Sequence, residues 1–263
     1  MTRRAPLSKG IFITGTDTGV GKTIVSAAII RALIKKGIKV GAMKPVETGC
    51  TEKRGKGQGA KGKGQDKTLI PSDGMFLRET AEMDDSIDLV TPIRFEFPLA
   101  PMVAAELEKR PVDLDKIFSA YGALSKKYDF MVVEGVGGLL VPINKRQEAK
   151  GKRQEAYFVI DLIKDLEFPV IVVARPTLGT INHTLLTVNY ALKEGINVLG
   201  VIINSHNPPE DSLAEKTNPD VLRKLCPVPV IGMLPYISDV TKNNIEDVAM
   251  KCISIESIWQ AGE

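Results

Sequence analysis

Nine residues, Gly15-Thr16-Asp17-Thr18-Gly19-Val20-Gly21-Lys22-Thr23, constrain this chain more than any other stretch. They follow the apolar run Gly10-Ile11-Phe12-Ile13-Thr14 and lead into a helical pattern from Thr23 to Lys36. That pattern closes on Lys35-Lys36-Gly37, where basic side chains meet the last carbonyls and glycine supplies a left-handed cap. A strand, a glycine-rich turn and a helix starting at Gly21, with free N–H groups aimed back at the turn, make an anion cradle. The usual phosphate loop has four residues between its first glycine and Gly-Lys-Ser/Thr. Here five separate Gly15 from Gly21. The physics survives the extra residue: the backbone of Gly19, Val20, Gly21 and Ile24 faces the phosphates, Lys22 lies along the β- and γ-phosphates of ATP, and Thr23 offers a hydroxyl to Mg²⁺.

The rest of the chain alternates strand and helix. Ile38 to Met43, Phe130 to Val133, Val170 to Ala174 and Val198 to Ile203 are β-branched and apolar on both faces, as buried parallel strands are. Asp113 to Lys127, and Thr180 to Glu194 closed by Gly195, read as helices. This alternation predicts a doubly wound α/β fold, a mostly parallel sheet flanked by helices. At 263 residues the expectation is one domain spanning 1–263. Two stretches break the rhythm: 52–67 is mostly Lys, Gly and Gln, and 145–156 carries Lys-Arg-Gln-Glu-Ala twice. Neither has the apolar content to enter a core, so both read as mobile loops.

Charge and cysteine usage exclude several classes. The 35 basic residues against 32 acidic ones leave a net charge of +3, much of it in short tracts, which calls for no nucleic acid. Cys50, Cys226 and Cys252 are scattered and odd in number, so neither a disulfide framework nor a metal knuckle is expected. The first nine residues lack the apolar stretch of a leader peptide and no later run is long enough for a bilayer, so the expected setting is the cytoplasm, away from membranes. Glu134, at the end of the apolar run from Phe130 and before Gly135-Val136-Gly137-Gly138, stands where open α/β sheets collect ligands. It is the expected metal carboxylate, with the glycines leaving room for phosphate.

Four ordered blocks together resemble the dethiobiotin synthetase family: Thr14 to Thr23, Lys44-Pro45-Val46-Glu47-Thr48-Gly49, Val133 to Gly138, and Gly179-Thr180-Ile181-Asn182-His183-Thr184-Leu185-Leu186-Thr187. The likeness runs from Gly10 to about Ile237 and includes the five-residue spacing in the glycine loop, so that departure becomes part of the match. Gly19 stands where some members carry glutamate, which leaves only a backbone role there. The resemblance implies an enzyme that takes 7,8-diaminononanoate and CO₂ to a carbamate, phosphorylates it with ATP and Mg²⁺, and closes a cyclic urea, as a homodimer with small-molecule partners only.

Carried over by position, the resemblance makes Lys44 the active-site lysine with Lys22 and Thr18 as further catalytic groups, and gives Thr18, Thr48 and Gly137 to the diamine. Asp73 joins Thr23 and Glu134 as a metal ligand. Its competitor is Asp66; Asp73 is preferred because Pro71-Ser72-Asp73-Gly74 precedes a helical apolar run and its distance to Thr91-Pro92 fits without a gap. Asp73 is also expected to cap that helix. Asn204 and Ser205 match the adenine-reading turn, and Pro235, Tyr236 and Ile237 the segment across the base. Gly135, Val136 and Gly137 border the nucleotide. Backbone N–H groups around Thr180 to Asn182 are expected to take the substrate's carboxylate tail across the dimer interface, while His183 reads as packing or helix-start chemistry.

Two rivals are weighed. A partner-regulated P-loop ATPase of the partition or septum-positioning kind typically has a second lysine early in the loop, where this chain has Thr16, Asp17 and Thr18, and the mixed charge of Asn244 to Trp259 is no membrane-targeting helix. An ATP-dependent amidoligase needs an ammonia-producing domain, for which no residues remain.

Overall fold

The computed structural model describes residues 9–52, 68–145, 156–208 and 212–261. The first half of the chain runs β1 (Lys9–Gly15), α1 (Lys22–Lys35), β2 (Val40–Met43), β3 (Val46–Thr48), β4 (Thr51–Glu52), β5 (Leu69–Ile70), α2 (Ser72–Thr80), α3 (Ile87–Val90), β6 (Ile93–Phe95), α4 (Pro101–Leu107) and α5 (Leu114–Leu124). The second half runs β7 (Phe130–Glu134), β8 (Pro142–Lys145), β9 (Ala156–Phe158), α6 (Val159–Leu166), β10 (Val170–Ala174), α7 (Thr180–Lys193), β11 (Val198–Asn204), α8 (Leu213–Leu225), β12 (Val230–Leu234), α9 (Lys242–Cys252) and α10 (Ile255–Ala261).

Six strands form one sheet in the order β12-β11-β10-β1-β7-β2, every neighbouring pair parallel. Strands with helices on both sides must be apolar on both faces, and β7 and β10 are buried at every residue. After β1 the chain moves to one side of it, towards β2, and later crosses to the other, towards β10. The crevice beyond the carboxyl end of β1 therefore lies at a topological switch point.

The helices explain where element ends fall. Within α1, every residue from Val25 to Leu33 is buried; Ile38 closes that helix, its N–H bonding Leu33 O at 3.2 Å, so β2 begins two residues later than the apolar run suggests. Asp113 caps α5 through Lys116 N at 3.0 Å, and α5 ends at Leu124 rather than Lys127 because Lys127 N turns back to Leu124 O at 2.8 Å. Arg31 of α1 reaches Glu246 of α9 at 2.9 Å and Glu82 at 2.8 Å, tying α9 to α1.

Small ladders decorate the rim: β3 with β6 parallel, and β4 with β5 and β8 with β9 antiparallel. The stretches expected as mobile loops lie outside the described residues except at their ends. Glu52, Lys145 and Ala156 are strand residues there, because each pairs across a ladder. Asp66 also lies outside the described residues. No helix among the described residues is long and apolar enough to cross a membrane, and Cys50, Cys226 and Cys252 are all free thiols.

Candidate active site

The glycine loop leaves β1 at Gly15 and enters α1 through Gly21, whose φ of 85° is left-handed. A side chain at Gly21 would be strained by that φ and would also run into the amide nitrogen of Asn204. No side chain caps α1, so the helix brings its first-turn N–H groups and positive end to the crevice. The loop itself is tied down from three sides. Thr16 N donates to Val173 O of β10 at 2.9 Å, Asn204 Nδ2 donates to Val20 O at 3.0 Å, and Arg175 reaches Asp17 at 2.8 Å and Thr18 O at 3.2 Å.

Beside the loop is a compact knot of charge. Lys44 follows β2 and is almost wholly buried; its ammonium donates to Asp73 Oδ2 at 3.0 Å and to Glu134 Oε1. Thr23 Oγ1 donates to that same Glu134 oxygen at 2.9 Å. Glu134 is fully buried at the end of β7, and its Oε2 has no partner among the described residues. Burial alone would lower the Lys44 pKa, but the carboxylates of Glu134 and Asp73 outweigh it and hold the ammonium above the ordinary lysine range. Lys22 goes the other way. Burial, reinforced by the charge of Lys44, pushes it down to about 8, and its Nζ donates to Asp17 O at 3.2 Å.

Thr18, Gly19, Gly21, Lys22, Thr23, Lys44, Thr48, Asp73, Glu134, Val136 and Gly137 all line one cavity of about 300 Å³. Among the described residues no cluster of three or more His, Cys, Asp or Glu side chains forms a self-sufficient metal cage. The oxygens present suit Mg²⁺ instead, which is usually held by one or two carboxylates together with substrate phosphates. Glu134 Oε2, buried and unpartnered beside the Thr23 hydroxyl, is the atom such a cation would satisfy.

One lining residue escapes sequence reasoning. Glu47, on β3, is 4% exposed and accepts from Asp73 N at 3.0 Å, Gly74 N at 2.9 Å and Ser72 Oγ at 3.4 Å. It thereby takes the capping role expected of Asp73: α2 begins at Ser72, which puts Asp73 inside the first turn rather than at the cap, and no side chain of its own cap residue Pro71 does so. Burial pushes the Glu47 carboxyl above its ordinary pKa. The available signal was a charged residue three positions past Lys44, between Val46 and Thr48 in the same block. Arg175, which grips the loop tip, was equally silent.

The remaining expected residues lie around the rim. Asn204 is 1% exposed, with its amide on the loop carbonyl. Ser205 N bonds Leu234 O at 3.0 Å, joining the ends of β11 and β12; Pro235 and Tyr236 are exposed there and Ile237 half-buried. Ile24 is half-buried on the first turn of α1, and Gly135 N bonds Ile13 O at 2.9 Å. At the start of α7, Asn182 and His183 are exposed, so His183 packs against nothing that buries it. At Thr180 the N–H bonds Thr177 O at 3.2 Å, and the hydroxyl lies 3.4 Å from that of Thr184.

A family model described as an AAA domain matches residues 9–244. The ATP-dependent dethiobiotin synthetase BioD of Thermodesulfovibrio yellowstonii is 53% identical over 252 residues, covering 96% of this chain and 99% of that one. Enzymes of the same name from Methanocaldococcus jannaschii and Bacillus subtilis are 42% and 38% identical, over 87% and 90% of this chain and 95% and 91% of theirs. Among solved structures, the MinC:MinD cell division complex of Aquifex aeolicus aligns at a TM-score of 0.49 and 15% identity, over 96% of this chain and 95% of that one.

Proposed function

The chain belongs to the ATP-dependent dethiobiotin synthetase family, and from that premise we propose how its residues divide the reaction. It is an ATP-dependent carbon–nitrogen ligase. The substrate is 7,8-diaminononanoate; one amine takes up CO₂ as a carbamate, ATP phosphorylates the carbamate oxygen, and the other amine attacks that carbon and expels phosphate. Dethiobiotin, ADP and phosphate are the products. A carbamate resists amines until it is phosphorylated, so the protein's task is to gather anions and offset the charge that develops as the γ-phosphoryl moves.

The loop N–H groups and Lys22 hold the β- and γ-phosphates. Lys44, kept cationic by Glu134 and Asp73, lies between carbamate and γ-phosphate. Thr23, Asp73 and Glu134 hold Mg²⁺, which when bound neutralises charge on the triphosphate. Thr18, Thr48 and Gly137 line the diamine's side of the cavity, and Asn204, Ser205, Pro235, Tyr236 and Ile237 surround the base. Asn182 and the exposed start of α7 take the substrate carboxylate from a second copy of the chain.

The observation carrying this reading is the buried Lys44 ammonium bridging Asp73 and Glu134 in the cavity that the glycine loop also lines. The test is an incubation with Mg²⁺, ATP and bicarbonate. Diaminononanoate-dependent release of ADP, with dethiobiotin formed in equal amount, is expected. ADP release indifferent to the diamine and stimulated by DNA or lipid would overturn it.

A further inference from the structure

We propose that Glu47 is a positioning residue: by capping α2 from the neighbouring strand β3, it fixes the carboxylate of Asp73 towards Lys44 and the metal. The inference rests on Asp73 being a metal ligand, as proposed above.

Helix α2 needs outside help. Its first N–H groups have no intrahelical partner and no side chain of its own cap residue serves them. Glu47 supplies two acceptors at once, Oε1 to Asp73 N and Oε2 to Gly74 N, at 3.0 and 2.9 Å. A carboxylate on helix N–H groups makes short, charge-assisted bonds and complements the positive helix end. The backbone amide it holds belongs to the very residue whose side chain reaches Lys44 Nζ at 3.0 Å. Asp73 itself has a side chain 42% exposed, so burial does not immobilise it.

Glu47 is in turn fixed by its strand. The parallel β3–β6 ladder sets Glu47 opposite Arg94, a cation within the same ladder. Arg94 instead serves Thr91 O at 2.8 Å and Asp88 at 2.6 Å. The Glu47 carboxylate is thus directed at the helix rather than neutralised across the ladder. The helix comes unusually close: a side chain on Gly74 would strike Thr91 Oγ1 and lie 3.5 Å from Glu47 Oε2.

The experiment measures Mn²⁺ affinity of the ADP-bound protein by electron paramagnetic resonance, which needs no turnover. Outer-shell partners of metal ligands typically contribute about ten- to a hundredfold in affinity. Glu47→Ala is expected to weaken Mn²⁺ by about tenfold or more, and Glu47→Gln, which keeps one acceptor oxygen and the shape, by less. Because the effect runs through Asp73, it should vanish in an Asp73→Asn background. Should Glu47→Ala not fold, Glu47→Gln alone and with Asp73→Asn carries the comparison. A Glu47 variant that binds Mn²⁺ within about twofold of the unaltered protein, while Asp73→Asn binds weakly, overturns the inference and leaves the metal site standing. A loss that persists undiminished beside Asp73→Asn also overturns it, since Glu47 would then act by loosening the fold. Unchanged affinity in Asp73→Asn removes both the inference and the assignment beneath it.

Discussion

Two lysines share one cavity with opposite fates. Carboxylates hold Lys44 charged, whereas Lys22 is lowered from 10.5 to about 8 by burial and by Lys44. Between pH of about 8 and 10.5 the unfolded chain keeps a proton that folded, ligand-free Lys22 has lost, so this group's contribution to stability rises with pH across that window and is least favourable below it. Nucleotide phosphates restore the charged form. Binding of ADP near pH 8 should therefore take up protons, about half of one per site from this group, which calorimetry in buffers of different ionisation enthalpy would register; proton release would contradict the Lys22 assignment. Lys44→Ala should collapse kcat while leaving ADP affinity nearly unchanged, because its charge is needed mostly in the transition state. It also strips the cation from buried Glu134, so urea unfolding without divalent metal should show a loss of roughly 3 kcal/mol, partly recovered by Mg²⁺. At this scale the sequence was readable where a residue sat in a motif of fixed chemistry: Lys22, Thr23 and Glu134 follow from loop and strand position, and Lys44 and Asp73 from the family blocks. Glu47 and Arg175 were not, since their partners lie 26 and 158 positions away and neither spacing nor composition encodes such a contact.

Among the elements, those with strong periodicity or a buried apolar run were legible to within a few residues: α1, α7, β10 and β11. The rim ladders were not, because a strand of two to four residues is defined by its partner rather than by its own side chains. The C-terminal helices were missed for a related reason. Helix α9 buries only Ile245, Glu246 and Ala249, and the buried glutamate reads in sequence as one more solvated charge. In the fold it meets Arg31, also 8% exposed, from the second half of α1. Glu246→Ala removes one partner of a buried pair, which commonly costs about 3–5 kcal/mol; Glu82 at 2.8 Å retains part of the compensation, so the lower end is expected, read from chemical denaturation. ADP affinity should stay within about twofold, because Glu246 pairs with Arg31 and Lys35, in the second half of α1 and away from its loop end. A large fall in affinity would mean that α1 and the loop move together.

Across the whole molecule, a parallel sheet followed from the alternation of strand and helix, but its order did not: which side of β1 each crossover takes is decided by packing among helices far apart in sequence. That order places the glycine loop where both halves of the sheet can grip it. Thr23 and Lys44 link it through Glu134 to β7 and β2, while Thr16 and Asn204 link it to β10 and β11. A ligand bound by the loop alone should therefore steady strands on both sides. Inorganic tripolyphosphate, which has no base to touch Asn204, makes the test clean. At about a hundred times its Kd it should stabilise the protein by about 2.7 kcal/mol, raising Tm by roughly 5–10 °C for a chain of this size. Amide exchange should slow at the carboxyl ends of both β7 and β11. Asn204→Ala cuts the side-chain link to Val20 O, so the same ligand should still protect β7 while protection at β11 is lost. Protection of β11 that survives this substitution would show that the two halves are coupled through the sheet itself and not through the Asn204 amide.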